Sequence, residues 1–177
     1  MNFLIISFFL LLSNLITCQE NNKPQFTNVL IEIPMGSSEK WEFNKYYNQI
    51  LQDSLNGLPR HIEYLNYPFN YGFVLNKFTS EDGDLLDAVV IGSKLEKGSV
   101  VEAKVISLLD TYDNGESDPK LILIHKSSRL YSVNSLKELN NKYNGVTDIV
   151  KIWFSNYKKG SIVNDYLTTL ETLDYLH

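Results

Sequence analysis

The stretch Asp82-Gly83-Asp84-Leu85-Leu86-Asp87-Ala88-Val89-Val90-Ile91 sets an acidic turn directly against an apolar run. Residues 86–91 are short, largely β-branched and free of breakers, which predicts a buried strand. Three carboxylates fall within six residues ahead of or inside it. Like charges that close repel unless water or a cation sits among them. The stretch alone leaves two readings open: a solvated acidic turn, or a site for a hard cation such as Mg2+ or Ca2+, since its donors are all oxygen. A calcium-binding EF-hand loop does not fit, because one starting at Asp82 would need ligands at Leu86 and Ser93.

The same grammar recurs outward along the chain. Residues 28–34 alternate, with Val29, Ile31 and Ile33 on one face, and Pro34 ends the strand. Residues 40–43 alternate with Trp41 and Phe43 opposite Lys40 and Glu42. Residues 71–75, 100–109 and 121–124 are further strands, separated by Gly and Asp/Asn clusters as in a small β-barrel. The run 100–109 is long enough to curl around one. Then the period changes. Ser135-Leu136-Lys137-Glu138 reads as a capping box opening a short helix. Residues 147–158 place Ile149, Ile152, Trp153 and Tyr157 on one helical face, and residues 161–176 repeat the pattern with Ile162, Tyr166, Leu170 and Leu173. Strands first and helices after predict an α+β fold. The expected architecture is a closed or partly open OB-like barrel of about five strands, with C-terminal helices packed against it.

A second acidic group, Asp110, Asp113, Glu116 and Asp118, runs through Lys120 into strand 121–124. If the two strands that follow the acidic groups are neighbours, their carboxylates converge at one barrel end, as a multi-metal site requires. Counter-charges for an anionic ligand are available in Lys40, Arg60, Lys120 and Lys158, with Tyr67, Tyr71 and Tyr157 as hydroxyl donors. Each also has an ordinary reading as a surface cation or a half-buried tyrosine.

The 177 residues suit one domain, with 44% apolar and 21% charged content. A net charge of −5 argues against nucleic-acid binding by bulk charge. It does not argue against a phosphate ligand held through metal ions. The single cysteine, Cys18, excludes an intrachain disulfide. It follows an apolar run, residues 3–12, of the length of a signal h-region, and Leu15-Ile16-Thr17-Cys18 is similar to a lipobox. Residues 1–18 are therefore expected to be a signal peptide or lipoprotein signal with a lipid anchor at Cys18. Residues 19–26 read as a linker and residues 27–177 as the folded domain. The three histidines have no ligand-like spacing, and no Ser/His/Asp or Cys/His set is present.

Seven segments in order carry a resemblance: Ile31-Glu32-Ile33-Pro34, Lys40-Trp41-Glu42, Tyr67-Pro68-Phe69-Asn70-Tyr71-Gly72-Phe73, Asp82 through Asp87, Gly98-Ser99-Val100, Asp113 through Asp118 with Lys120, and Trp153-Phe154-Ser155-Asn156-Tyr157-Lys158. Together they resemble the soluble inorganic pyrophosphatases of the small β-barrel, Mg2+-dependent class. The resemblance implies hydrolysis of diphosphate to two phosphates by a metal-activated hydroxide, without a covalent intermediate. It implies metal contacts at Asp82, Asp87, Asp118, Asp113 and Glu32, and a general base at Asp84. It implies phosphate-holding roles for Lys40, Arg60, Lys120, Tyr157 and Lys158, and supporting roles for Glu42 and Tyr71. Several Mg2+ ions per site are implied, with Mn2+ as a possible substitute, and a homo-oligomer, dimer or hexamer. Most of the family is cytoplasmic, the alternative to export as a periplasmic or membrane-anchored lipoprotein. Four departures stand out: Leu85 for a usual Pro, Asn114 for a usual acid, Trp41 beside Lys40, and Pro59 before Arg60. The alternative function is a non-catalytic, exported metal- or anion-binding barrel derived from a pyrophosphatase.

Overall fold

The computed structural model describes residues 25–79 and 84–177. The segment through Cys18, and Asp82 with Gly83, lie outside the described residues. In chain order come β1 (Phe26–Ile33), β2 (Trp41–Asn44), β3 (Gln49–Gln52), β4 (Ser54–Leu55), β5 (Leu58–Pro59), β6 (Asn70–Phe78) and β7 (Leu85–Ile91). They are followed by β8 (Val100–Asp113), β9 (Glu116–Ser117), β10 (Lys120–His125), α1 (Leu136–Lys142), α2 (Val146–Asn156), β11 (Ser161–Tyr166) and α3 (Thr169–Leu176).

Five strands, in the order β1-β6-β7-β10-β8, close into a barrel because β1 also pairs with β8. The pairings are antiparallel except β7 with β10, which run parallel with Lys120 opposite Asp87. That one parallel pair decides where the chemistry sits. Both strands start at the same barrel end, and each is entered from an acidic stretch. The fourteen-residue β8 curls far enough to pair with β1, β10, β9 and β11.

Alternation sorts the side chains. Val29, Ile31, Val74, Leu86, Ala88, Val90, Val105, Leu121 and Leu123 form one buried cluster drawn from all five strands, with Leu173 and Leu176 of α3 packed on it. Tyr71, Val89, Leu109 and Ile122 belong to a second cluster with Tyr67, Phe69 and, from α2, Val150, Trp153 and Phe154. Its aromatic rings interlock: Trp153 lies 4.5 Å from Tyr67 and edge-on to Phe69 at 5.2 Å. Fully burying each such side chain contributes about 1.5–3 kcal/mol.

Two helical expectations are corrected. In α2 the buried residues are Thr147, Val150, Trp153 and Phe154, while Ile149 and Ile152 are exposed at 57% and 56%. The aromatic pair sets the inward face, overriding the isoleucines. Residues 161–176 are not one helix. Ile162-Val163 joins the edge of β8 as β11, and the helix begins only after Thr168, whose side chain caps Glu171 N while Glu171 caps Thr168 N. Ser135 caps α1, its Oγ accepting from Glu138 N at 3.2 Å, but the expected box does not close, because Glu138 Oε2 accepts from Asn134 N at 3.0 Å rather than from Ser135 N. The small hairpins β2–β3 and β4–β5 had no counterpart in the sequence reading beyond residues 40–43.

Candidate active site

Glu32 comes first because the backbone goes out of its way to place it. Ile31 pairs with Gly72 and Ile33 with Tyr71, so Glu32 is the extra residue of a β-bulge. A bulge re-aims a side chain, and here it lets Glu32 leave the strand's alternation. Gly72 is required at this crossing: a Cβ there would lie 1.9 Å from Leu30 O. Glu32 is buried, with Oε1 accepting from Phe43 N at 2.6 Å. Burial pushes its carboxyl up to about 7, with Asp87 adding to the rise, against the Phe43 N–H and Lys40.

Asp87 follows from alternation on β7, on the opposite face from Leu86 and Ala88. Its Oδ2 accepts from the Tyr71 hydroxyl and from Lys120 Nζ at 2.5 Å. Lys120, only 2% exposed, also donates to Asp118 Oδ1. Burial alone would lower the Lys120 pKa, but Asp87 and Asp118 outweigh it and the ammonium is held above its ordinary range. The Asp118 carboxyl is pushed up by burial, Lys120 opposing and Asp87 assisting.

Asp113 and Asp118 are set by the β8–β9 hairpin. Asp113 pairs with Glu116 across Asn114 (φ 50°) and Gly115 (φ 92°), a two-residue turn with both central residues left-handed. That turn gives Asn114 a local reason: asparagine tolerates the left-handed region that most side chains avoid. Asp113 Oδ2 accepts from Lys158 Nζ at 2.5 Å, just beyond α2. Lys40 Nζ pairs with Glu42 at 3.0 Å and lies 5.9 Å from the Tyr71 ring centroid. Burial depresses the Lys40 ammonium, yet Tyr67, Glu42 and Asp87 leave it raised overall. Tyr157 stacks on Trp153 at 4.7 Å, and burial pushes its hydroxyl up to about 12 while Lys120 and Lys40 pull it down.

These side chains bound a cavity of about 410 Å3. Glu32, Lys40, Glu42, Tyr71, Asp84, Asp87, Asp113, Asp118 and Lys158 all line it. Lys120 lies beneath two of them. Arg60 does not reach the wall; it is held by Asp53 at 2.8 Å. Asp110 turns to Asn164 at 2.7 Å and is no part of the cavity. Glu116 of the second acidic group also lines it, and the structure adds Lys45 and Thr79. Lys45 belongs to a segment whose hairpin was not legible, so no spacing pointed to it.

The donor set is carboxylate oxygen throughout, the chemistry of a hard divalent cation. The carboxylates already hold cations: Lys120 Nζ stands between Asp87 and Asp118, and Lys158 Nζ stands on Asp113. No three acidic, His or Cys groups among the described residues close on one point. The residues fit a cation in chemistry and in charge.

The family model for inorganic pyrophosphatase matches residues 29–172. The inorganic pyrophosphatase of Sulfolobus acidocaldarius is 34% identical over 139 residues, 78% of this chain and 77% of that protein. The crystal structure of inorganic pyrophosphatase from Thermus thermophilus shares the fold at a TM-score of 0.74 and 27% identity, over 86% of this chain and 88% of that one. The recombinant inorganic pyrophosphatase from T. brucei brucei matches in fold at a TM-score of 0.80 and 24% identity; 92% of this chain is covered, but the match spans only 54% of that one. With a barrel, a cavity and a sequence that all agree, the chain belongs to the inorganic pyrophosphatase family.

Proposed function

We propose that the protein hydrolyses inorganic pyrophosphate to two phosphates with the help of divalent cations, Mg2+ foremost. The observation that carries this is the cavity in which carboxylates from β1, β7 and the β8–β9 region face lysines that flank β2 and follow α2. Glu32, Asp87, Asp113 and Asp118 would hold the cations, together with Asp82. Bound there, such ions supply positive charge against the phosphates and make water more acidic. Lys40 and Lys158 orient the substrate's oxygens, Lys120 and Tyr157 act from beneath and beside them, and Arg60 stands further out. Asp84, at the rim, accepts the proton of the attacking water. One P–O bond forms, the bridging P–O bond breaks, and the lysines offset charge on the leaving phosphate. Glu42 and Tyr71 position Lys40 and Asp87.

The test is phosphate release from pyrophosphate by the purified protein with and without Mg2+. Release that needs the metal is expected, and absence of release with Mg2+ or Mn2+ present favours the non-catalytic barrel instead. Export with a lipid anchor at Cys18 is supported by the apolar run 3–12 and the lipobox-like segment. Among the described residues no helix is long and apolar enough to cross a membrane. A Cys18→Ala variant that stays membrane-associated would exclude that anchor. A homo-oligomer is supported by Ile149 and Ile152, more than half exposed one turn apart on α2, and is tested by light scattering.

A further inference from the structure

We propose that Lys45 is a positioning residue that acts through Asp84. Lys45 leads the turn between β2 and β3, where Asn44 pairs with Gln49. Asn44 Oδ1 accepts from Tyr46 N at 3.0 Å and Tyr47 N at 3.1 Å, and Asn48 is left-handed at φ 51°. The turn is thereby fixed by its own side chain, which gives Lys45 a defined origin. From it Nζ reaches Asp84 Oδ1 at 3.2 Å, across 39 positions of sequence. Both residues line the cavity, at the same rim.

The other cavity lysines are committed elsewhere: Lys40 to Glu42, Lys158 to Asp113, and the buried Lys120 to Asp87 and Asp118. Among the described residues, Lys45 places its ammonium on Asp84. It ties the strand that follows Lys40 and carries Glu42 to the entry of the strand that carries Asp87, across the mouth of the cavity. The pair is exposed, at 54% and 73% of the two side chains, so it adds little to fold stability. Its consequence is geometric. A carboxylate that takes a proton from water must lie within hydrogen-bond reach of it, and a small displacement forfeits much of the rate.

The inference rests on Asp84 being the proton acceptor proposed above, and the experiment separates the two. Pyrophosphate turnover is measured at saturating Mg2+ for the wild type, Lys45→Met, Lys45→Arg, Asp84→Asn and the double variant Lys45→Met/Asp84→Asn. Lys45→Met should lower kcat roughly tenfold, with KM changed less than about threefold. Lys45→Arg should recover most of it, and the double variant should be no slower than Asp84→Asn alone. The melting temperature of Lys45→Met should stay within about 4 °C of wild type. An unchanged kcat, a rise in KM alone, or a double variant whose losses multiply would overturn the role through Asp84. An inactive wild type, or an Asp84→Asn variant with full turnover, would instead remove the reading on which it rests.

Discussion

Gly72→Ala isolates the feature that aims Glu32. An added Cβ would sit 1.9 Å from Leu30 O, whereas ordinary contact begins near 3.4 Å. The obstacle is backbone, so no side chain can swing aside; β1 and β6 must separate by about 1.5 Å at the bulge, the gap between those two distances. Overpacking of this kind costs about 1–3 kcal/mol and sometimes more. In a domain of this size each kcal/mol moves the melting temperature by about 2–4 °C, so a drop of roughly 2–12 °C is expected. The shift falls on Glu32, and a misplacement of about 1 Å near the chemistry can lower turnover about a hundredfold. Calorimetry and a phosphate-release assay on the same sample read both effects. Gly36→Ala is the control: its φ of +89° is strained for alanine, but nothing lies within 4 Å. It should cost only about 1–2 kcal/mol and leave turnover intact. A Gly72→Ala protein that melts and turns over like wild type would refute the claim that close strand approach builds this wall.

Glu32 also sets a pH dependence in metal-free protein. Burial holds its folded pKa at about 7, above the ordinary 4.5, so the fold favours the neutral acid. The stabilisation from neutral Glu32 is present below about pH 4.5 and is lost as pH rises to about 7, by at most about 3 kcal/mol. Glu32→Gln should flatten this part of the melting-temperature profile in EDTA; an unchanged slope would contradict it. Lys120→Met leaves Asp87 and Asp118 facing each other without their shared ammonium. Those carboxylates are partly exposed, so a loss of about 1–3 kcal/mol is expected in EDTA. Mg2+ should restore part of it, measured by denaturant titration with and without the ion. Asp84→Asn should cut kcat about a hundredfold or more with the melting temperature unchanged, read by steady-state kinetics and a thermal melt.

The barrel was legible because its strands are short apolar runs with breakers between them. The convergence of the acidic groups was legible only as a condition, since no periodicity says that β7 and β10 are parallel neighbours. The bulge at Glu32 was invisible: the alternation of residues 28–34 put Ile31 and Ile33 on one face, and the structure sends them to different clusters. Helix faces went astray where aromatic bulk competed with isoleucine spacing in α2. The run 161–176 misled for a related reason, because Ile162, Tyr166, Leu170 and Leu173 fall at helical intervals although Ile162-Val163 is β-branched and docks on a sheet edge. Lys45 was hidden because its reach to Asp84 depends on a hairpin closed by an asparagine turn. Arg60 shows the converse: motif order named it, while its ion pair with Asp53 was not legible.

Hydrolysis of pyrophosphate in this cavity is proposed to require divalent cations among its carboxylates. The most direct measurement is release of inorganic phosphate from pyrophosphate by the purified protein, with Mg2+, with EDTA, and with Mg2+ restored after EDTA. Turnover is expected with Mg2+, none in EDTA, and recovery when the ion is added back. Absence of release under every condition, from protein shown to be folded, would contradict that proposal.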